Sequence, residues 1–413
     1  MSSDKPNPIA IEPESLRAAD VEQSVIRLIS HASRVRASDL YLCLNEKDGQ
    51  LAVRHEGIIK QLCRVSREEC MRYVNHLKAV AGMPLGQKIR PGDGRWICPI
   101  DGGGKVDLRI STIPTLWGED LTMRLLQCDL GLLDLSKLGY PRRALEDLYL
   151  LLNSSSGLLL VSGPSGAGKT TTLYACLNYL NNGARKINTI EDPIEYEMPG
   201  VRQSQVRPEV ELDFPTLLRS VLRQAADIIM VGEIRDPVTA ETAVLAANSG
   251  HLVLATLHAP FAASCVNTML ALGVNARFLS TCLLGAVSQR LVRTLCDHCK
   301  VAHDLSGSPQ TFEEIREWLE PGQGDWIYSA PGCEKCFHEG YAGRSAVAEV
   351  LSVDKQIRQM IHEKRTARDI RDKAIAHGML DLRRSALLKV AQGVTSTEEL
   401  MRTIPPEHLL PDD

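Results

Sequence analysis

No apolar run in the 413-residue chain approaches the roughly 18 to 20 residues that span a bilayer, and Met1 to Asp20 is polar and proline-bearing where a secretory signal would be apolar. The expectation is a soluble, cytoplasmic protein without a transmembrane segment. Basic residues are not in excess either. Lys and Arg number 47 against 51 Asp and Glu, a formal net charge of −4, so no broad surface for a polyanion is expected and nucleic acid is not an expected direct partner. The chain has no internal repeat and no low-complexity segment. Aromatic residues are scarce at 4%, but 44% hydrophobic and 24% charged residues are ordinary for a globular protein, and the length allows about two or three domains with real cores.

What is present is organised around residues 157–181. An apolar run, Leu158 to Val161, leads into Gly163-Pro164-Ser165-Gly166-Ala167-Gly168-Lys169-Thr170, with Thr171 next, and Leu173, Leu177 and Leu180 then recur at helical spacing. Strand, glycine loop and helix form the context in which G-x-x-x-x-G-K-[ST] cradles phosphates. The glycines let successive backbone N–H groups converge on a polyphosphate, and the helix N-terminus adds about half a positive charge there. Lys169 would reach the β and γ phosphates of ATP, and Thr170 would hold Mg²⁺.

Along the chain, residues 1–20 carry prolines and charges without a period and read as a mobile lead-in. Residues 21–130 read as a small α+β domain: Val25, Leu28, Ile29 and Ala32 share a helical face, and Leu40 to Leu44 and Leu51 to Val53 alternate as strands. Pro91-Gly92-Asp93-Gly94 reads as a turn and Asp101 to Gly104 as a hairpin loop, followed by two strands carrying Arg109 and Arg124. Residues 131–150 form a leucine-rich linker with a helix from Pro141. From 151 to 295 strands and helices alternate, with strands at Lys186 to Ile190, Asp227 to Val231 and His251 to Leu257 and two apolar helices reaching Arg290, which predicts a mainly parallel sheet with helices on both faces. Residues 296–340 are polar, and 341–413 are expected to be helical.

Two of these strands end in carboxylates. Ile228 to Val231 runs through Gly232 into Glu233, which could orient an attacking water, because phosphoryl transfer needs positioning and charge more than covalent chemistry. Glu191-Asp192-Pro193-Ile194-Glu195 is the second acidic strand end. With these residues the chain resembles the secretion ATPases that drive type II secretion and type IV pilus assembly. Four boxes stand in the family order: the P-loop, INTIEDPIEY at Ile187 to Tyr196, IIMVGEIRD at Ile228 to Asp236, and GHLVLATLH at Gly250 to His258. The likeness continues through QRLVRTLC at Gln289 to Cys296 and GYAGRSAVAEVL at Gly340 to Leu351, and upstream through DGRW and VDLRISTIP.

The resemblance implies an α/β fold with a RecA-like core, a smaller N-terminal domain, and a hexameric ATPase acting with an inner-membrane platform protein from the cytoplasmic face. It implies that Glu191 helps place Mg²⁺ or its water, that Glu233 is general base or water-positioner, and that His258 senses the γ-phosphate. Arg95 and Arg109 match arginines that close onto phosphate, and Arg219, Arg223 and Arg235 match arginines near subunit or domain contacts; as isolated residues each also reads as a surface charge. The chain departs from the family at Ala259-Pro260 after His258, at Ala225-Ala226 before Asp227, and at Thr268. These departures keep open a nucleotide-gated scaffold with little hydrolysis, and a conjugation-type transfer ATPase of the same superfamily is the other alternative.

Twelve cysteines in a large P-loop chain indicate a reducing compartment more than a disulfide framework, and eight of them read as small buried hydrophobes. The other four, Cys296-x-x-Cys299 and Cys333-x-x-Cys336, have the spacing of a closed, structural Zn²⁺ site, against the alternative of two unrelated pairs. The family's assembly members carry the same insertion, and His298 and His338 are expected to be exposed rather than ligands.

Overall fold

A computed structural model of the chain describes residues 9–18, 20–86, 88–126 and 130–405. It divides into two compact units, one of residues 1–128 with 332–340 and one of residues 129–331 with 341–413. Among the described residues no helix is long and apolar enough to cross a membrane.

The first unit runs α1 (Pro13–Leu16), α2 (Val21–Arg34), β1 (Asp39–Leu44), β2 (Asp48–His55), β3 (Ile58–Ser66), α3 (Arg67–Val80), β4 (Gly92–Pro99), β5 (Lys105–Thr115) and β6 (Gly118–Leu126). Its six strands form one antiparallel sheet in the order β3-β2-β1-β6-β5-β4. Asp20 caps α2 by accepting from the Gln23 N–H, and Ser66 caps α3 through Glu69, each satisfying an N–H that the first helical turn leaves over. The apolar faces of both helices join the sheet in one core. Two expectations change here. Ile9 and Leu16 are fully buried in that core, so the described part of the lead-in is packed, because those two apolar side chains find a hydrophobic surface to cover; residues 1–8 lie outside the described residues. The glycines after Pro91 do not make a turn but open β4, where a Cβ at Gly94 would meet the Ala81 carbonyl oxygen at 2.7 Å.

The second unit runs α4 (Arg142–Leu152), β7 (Gly157–Ser162), α5 (Lys169–Leu180), β8 (Ile187–Glu191), β9 (Val201–Gln205), α6 (Phe214–Val221), β10 (Ile228–Val231), α7 (Pro237–Asn248), β11 (Leu252–Leu257), α8 (Ser264–Ala271), α9 (Ala276–Cys282), β12 (Leu283–Leu295), β13 (Val301–Asp304), β14 (Trp326–Ser329), β15 (Tyr341–Ser352), α10 (Lys355–His362), α11 (Ala367–Ala376), α12 (Leu382–Ala391) and α13 (Thr397–Thr403). Seven strands form a sheet in the order β15-β12-β7-β11-β10-β8-β9, parallel throughout except for β15. Side chains alternate across the sheet. Leu158 and Leu160 of β7 join the core that holds α7, α8 and α9, while Leu159 and Val161 join the one that holds α4 and α5. That two-sided burial explains why the strands read as continuous apolar runs.

The expected helices do not reach Arg290. They end at Cys282, and residues 283–295 are the strand β12, since a buried apolar run has no period that separates strand from helix. The C-terminal stretch likewise opens as a strand, β15, which pairs with β12, before its helices begin at Lys355.

Candidate active site

The glycine loop leaves β7 with backbone angles that favour glycine: φ is 143° at Gly163, 76° at Gly166 and 84° at Gly168. A Cβ on Gly163 would lie 2.4 Å from the Gln289 carbonyl oxygen, so neighbouring β12 leaves room only for glycine there. Gly168 is the N-cap of α5, which begins at Lys169. Pro164, Ser165 and Gly166 are exposed, Ala167 is buried beneath them, and Thr170 and Thr171 sit in the first helical turn. The Lys169 ammonium folds over the loop, donating to the Gly163 carbonyl at 2.8 Å and the Pro164 carbonyl at 3.2 Å. Burial pushes its pKa below the ordinary lysine value, while the Glu233 charge works the other way.

Glu233 follows β10 on a stitched backbone. Gly232 donates to the Ile190 carbonyl at 2.8 Å, Ile234 to the Thr256 carbonyl at 2.8 Å, and the Thr256 hydroxyl to the Gly232 carbonyl at 2.5 Å. Its carboxylate meets His258 Nε2 at 2.9 Å and Arg235 Nη2 at 2.5 Å. Burial opposes its charge, but the Arg235 hydrogen bond and the charges of Arg235, His258 and Lys169 outweigh that and hold the carboxyl below its usual range. Lys169, Glu233, His258 and Arg235 are thus brought into one electrostatic group. Arg235, associated with subunit or domain contacts by resemblance, is here a direct partner of Glu233.

Glu191 lies elsewhere in the network. It is 3% exposed at the end of β8 and accepts from Thr189 Oγ1 at 2.5 Å, Gln203 Nε2 at 3.1 Å and the Tyr174 hydroxyl. Both of its oxygens are therefore engaged by protein donors, an arrangement of a positioning group more than of one open to a metal or its water. The segment after His258, where the chain departs from the family, is fixed: the Pro260 carbonyl accepts from Ser288 Oγ at 3.2 Å and the Ala262 N–H donates to Glu349 at 2.7 Å. Ala225 takes a left-handed φ of 49°, and Asp227 accepts from the Lys186 N–H at 2.7 Å, which pins the start of β8. Thr268 satisfies its hydroxyl on the Ser264 carbonyl, 3.0 Å away. Arg223 donates to the Arg219 carbonyl at 3.0 Å near the end of α6, and Arg219 is exposed.

In the N-terminal unit Arg95 and Arg109 are directly opposite on β4 and β5, and Arg124 on β6 and Asp39 on β1 continue the row. Opposed residues share a sheet face, so with Arg54 of β2 opposite Asp39 this is a row of four arginines around one aspartate. Arg95 is held by Asp107, with Nε 2.9 Å from Oδ1, and Arg124 Nε lies 3.1 Å from Asp39.

The sulfur atoms of Cys296, Cys299, Cys333 and Cys336 all lie within 4.8 Å of one another. Tetrahedral zinc with bonds of about 2.3 Å requires sulfur atoms about 3.8 Å apart, and Cys333 Sγ and Cys336 Sγ are separated by 3.8 Å. Cys336 Sγ also accepts from the Gly340 N–H at 3.2 Å, as a thiolate ligand would. The donor set fits Zn²⁺, and the exposed His298 and His338 stand outside it. Of the eight cysteines read as hydrophobes six are buried, Cys43 is half-buried and Cys128 lies outside the described residues.

Gln289 was not singled out by its own chemistry. It is 1% exposed on β12, and its amide donates to the Ala167 carbonyl of the glycine loop at 2.6 Å. The available signal was one amide inside a buried apolar strand, a residue that must find partners.

The family model described as "Type II/IV secretion system protein" matches residues 14–402. Type II secretion system protein E of Dickeya dadantii is 38% identical over 397 residues, covering 94% of this chain and 77% of that protein. Type II secretion system ATPase E of Vibrio cholerae is also 38% identical, over 94% of this chain and 77% of its own length. Type IV pilus assembly ATPase PilB of Thermus thermophilus is 37% identical over 95% of this chain and 44% of its own length. Among solved structures, the pilus retraction motor PilT with bound ADP superposes with a TM-score of 0.63 at 24% identity, over 96% of this chain and 98% of PilT. The ATPase DotB of Legionella pneumophila gives 0.65 at 19%, over 96% of each chain.

Proposed function

The chain belongs to the family of type II/IV secretion system proteins, and from that premise we propose that it is a Mg²⁺-dependent ATPase powering assembly of a type IV pilus or type II secretion pseudopilus. The observation that carries the reading is the Glu233 carboxylate, kept ionised at the end of β10 by Arg235 and His258 and within the field of Lys169. A fixed carboxylate of this kind can accept a hydrogen bond from an attacking water and orient it. The backbone N–H groups of residues 165–171 would hold the α and β phosphates of ATP, with Gly163 and Pro164 shaping the entrance of the loop. Lys169 would exchange its contacts with the Gly163 and Pro164 carbonyls for phosphate oxygens. Thr170 would hold Mg²⁺, which supplies charge neutralisation on the phosphates, and Glu191 would support the site from its buried network. His258, exchanging its contact with Glu233 for the nucleotide, would report the γ-phosphate, and Arg95 and Arg109 would act in the closed, hydrolysing state.

The relatives named for type II secretion and pilus assembly support the secretion or pilus role; on that reading the chain would work as a homo-hexamer in the cytoplasm against an inner-membrane platform protein, as the family resemblance implies. The Cys₄ site would be a structural zinc centre. Replacing the chromosomal gene by one encoding Lys169→Ala tests the role in cells. Loss of surface filaments or of secreted protein, with the variant present at normal level, is expected; unimpaired assembly would rule the motor role out.

A further inference from the structure

We infer that Gln289 and Tyr140 are positioning residues for hydrolysis, which set the shape of the glycine loop from below and make its phosphate affinity depend on the stretch preceding α4. The inference rests on the reading of residues 163–171 as a phosphate cradle.

Gln289 uses one donor and both acceptor positions of its amide within one buried cluster. Its Nε2 donates to the Ala167 carbonyl at 2.6 Å, and its Oε1 accepts from Thr172 Oγ1 at 2.8 Å and from the Tyr140 hydroxyl. Tyr140 is 7% exposed, Thr172 1% and Gln289 1%, so none of these bonds is exchanged readily with water. The Ala167 peptide is the one that matters. Its carbonyl can point down to Gln289 only if the peptide plane is turned so that the following N–H, that of Gly168, points the opposite way, toward the loop's open side. The same loop is clamped at its entrance, where the Gln289 backbone carbonyl would be 2.4 Å from any Cβ on Gly163. One residue of β12 therefore constrains two points of the cradle through side chain and backbone.

Tyr140 adds the second half of the inference. It immediately precedes Pro141, the N-cap of α4, in the stretch through which the chain enters the second unit. Among the described residues its hydroxyl is joined to the glycine loop through Gln289 and Thr172. A shift of this stretch would remove one donor from Gln289 Oε1, loosen the amide and weaken the hold on Ala167. Nucleotide affinity and the position of Tyr140 are then linked, and linkage of binding energies is reciprocal.

The test is ADP affinity by calorimetry on the full chain, with Gln289→Ala, Tyr140→Phe and the double variant, and a thermal unfolding midpoint for each. Gln289→Ala should weaken ADP binding about tenfold or more, the scale of leaving a buried carbonyl without its donor, and Tyr140→Phe by a smaller factor. In the Gln289→Ala background Tyr140→Phe should have no further effect, because its action passes through the amide. Steady-state kinetics should show KM for ATP rising with the ADP dissociation constant. Should Gln289→Ala fail to fold, Tyr140→Phe alone decides, since it removes one oxygen and no packing. Wild-type ADP affinity in a folded Tyr140→Phe chain, or strictly additive effects in the double variant, would overturn the inference. Absence of nucleotide binding by the wild-type chain would instead overturn the reading of the cradle itself.

Discussion

The water-positioning role proposed for Glu233 requires an ionised carboxylate, and its surroundings favour that state. Arg235 and His258 flank its two oxygens, and their attraction exceeds the burial penalty. Glu349 is the opposite case. It is fully buried on β15, where it accepts from the Ala262 and Leu382 N–H groups. Burial pushes its carboxyl up to about 7, with Asp381 adding to the rise and the two N–H groups and Arg371 opposing it. A carboxyl raised in the folded state contributes stability that is complete below its unfolded value near 4.5 and lost as pH rises through about 7. Denaturant unfolding of the wild type should therefore lose on the order of 3 kcal/mol between these limits relative to Glu349→Gln, whose curve should be flatter there. Parallel curves for the two proteins would show that Glu349 does not titrate in this window.

At the scale of elements, α13 is fastened to β12 by charge. Glu399 accepts from Arg293 Nη2 at 2.7 Å and from the Arg293 N–H at 3.0 Å, and Arg402 adds a contact of 2.6 Å. Burial opposes ionisation of Glu399, yet the arginines and the N–H pull its carboxyl down to about 2. Glu399→Ala would remove this carboxylate from the buried Arg293 guanidinium, at a cost of about 3 to 5 kcal/mol in unfolding free energy. A change below about 1 kcal/mol would mean that water reaches Arg293. The four cysteines of the proposed zinc site are the other case at this scale. Purified chain should hold about one zinc per molecule, since one closed tetrahedral site uses all four thiolates. Cys333→Ser should lower the thermal midpoint while leaving ATP binding at Lys169 measurable, because the glycine loop lies between β7 and α5, far along the chain from the four cysteines. Zinc-free protein of unchanged stability would remove the metal from this scheme.

For the whole molecule, what could be read from sequence was local. The strand, glycine loop and helix of residues 157–181 are encoded within a window short enough for pattern and backbone chemistry to decide, and β10 and β11 likewise announce themselves by apolar runs ending at Glu233 and His258. The strand β12 did not, because 13 residues with buried side chains on both faces show no period of 2 or of 3.6. Its pairing with β7 and β15 comes from parts of the chain that a local window does not contain. Gln289 was hidden for the same reason: its partner Ala167 lies 122 positions away. Arg235 is only two positions from Glu233, but nothing in the sequence says that the chain bends to bring them together. The burial of Ile9 and Leu16 also depends on a surface supplied by the rest of their unit.

The central claim is that this fold hydrolyses ATP with Glu233 orienting the water. Its most direct test is steady-state phosphate release by purified wild-type chain and by Glu233→Gln with MgATP, alongside ATP binding by each. The wild type should turn over, and Glu233→Gln should bind ATP while turning over at least about a hundredfold more slowly, the scale of losing one positioned proton-transfer group. Near wild-type turnover in the variant, or none in a wild-type chain that binds ATP, would contradict it.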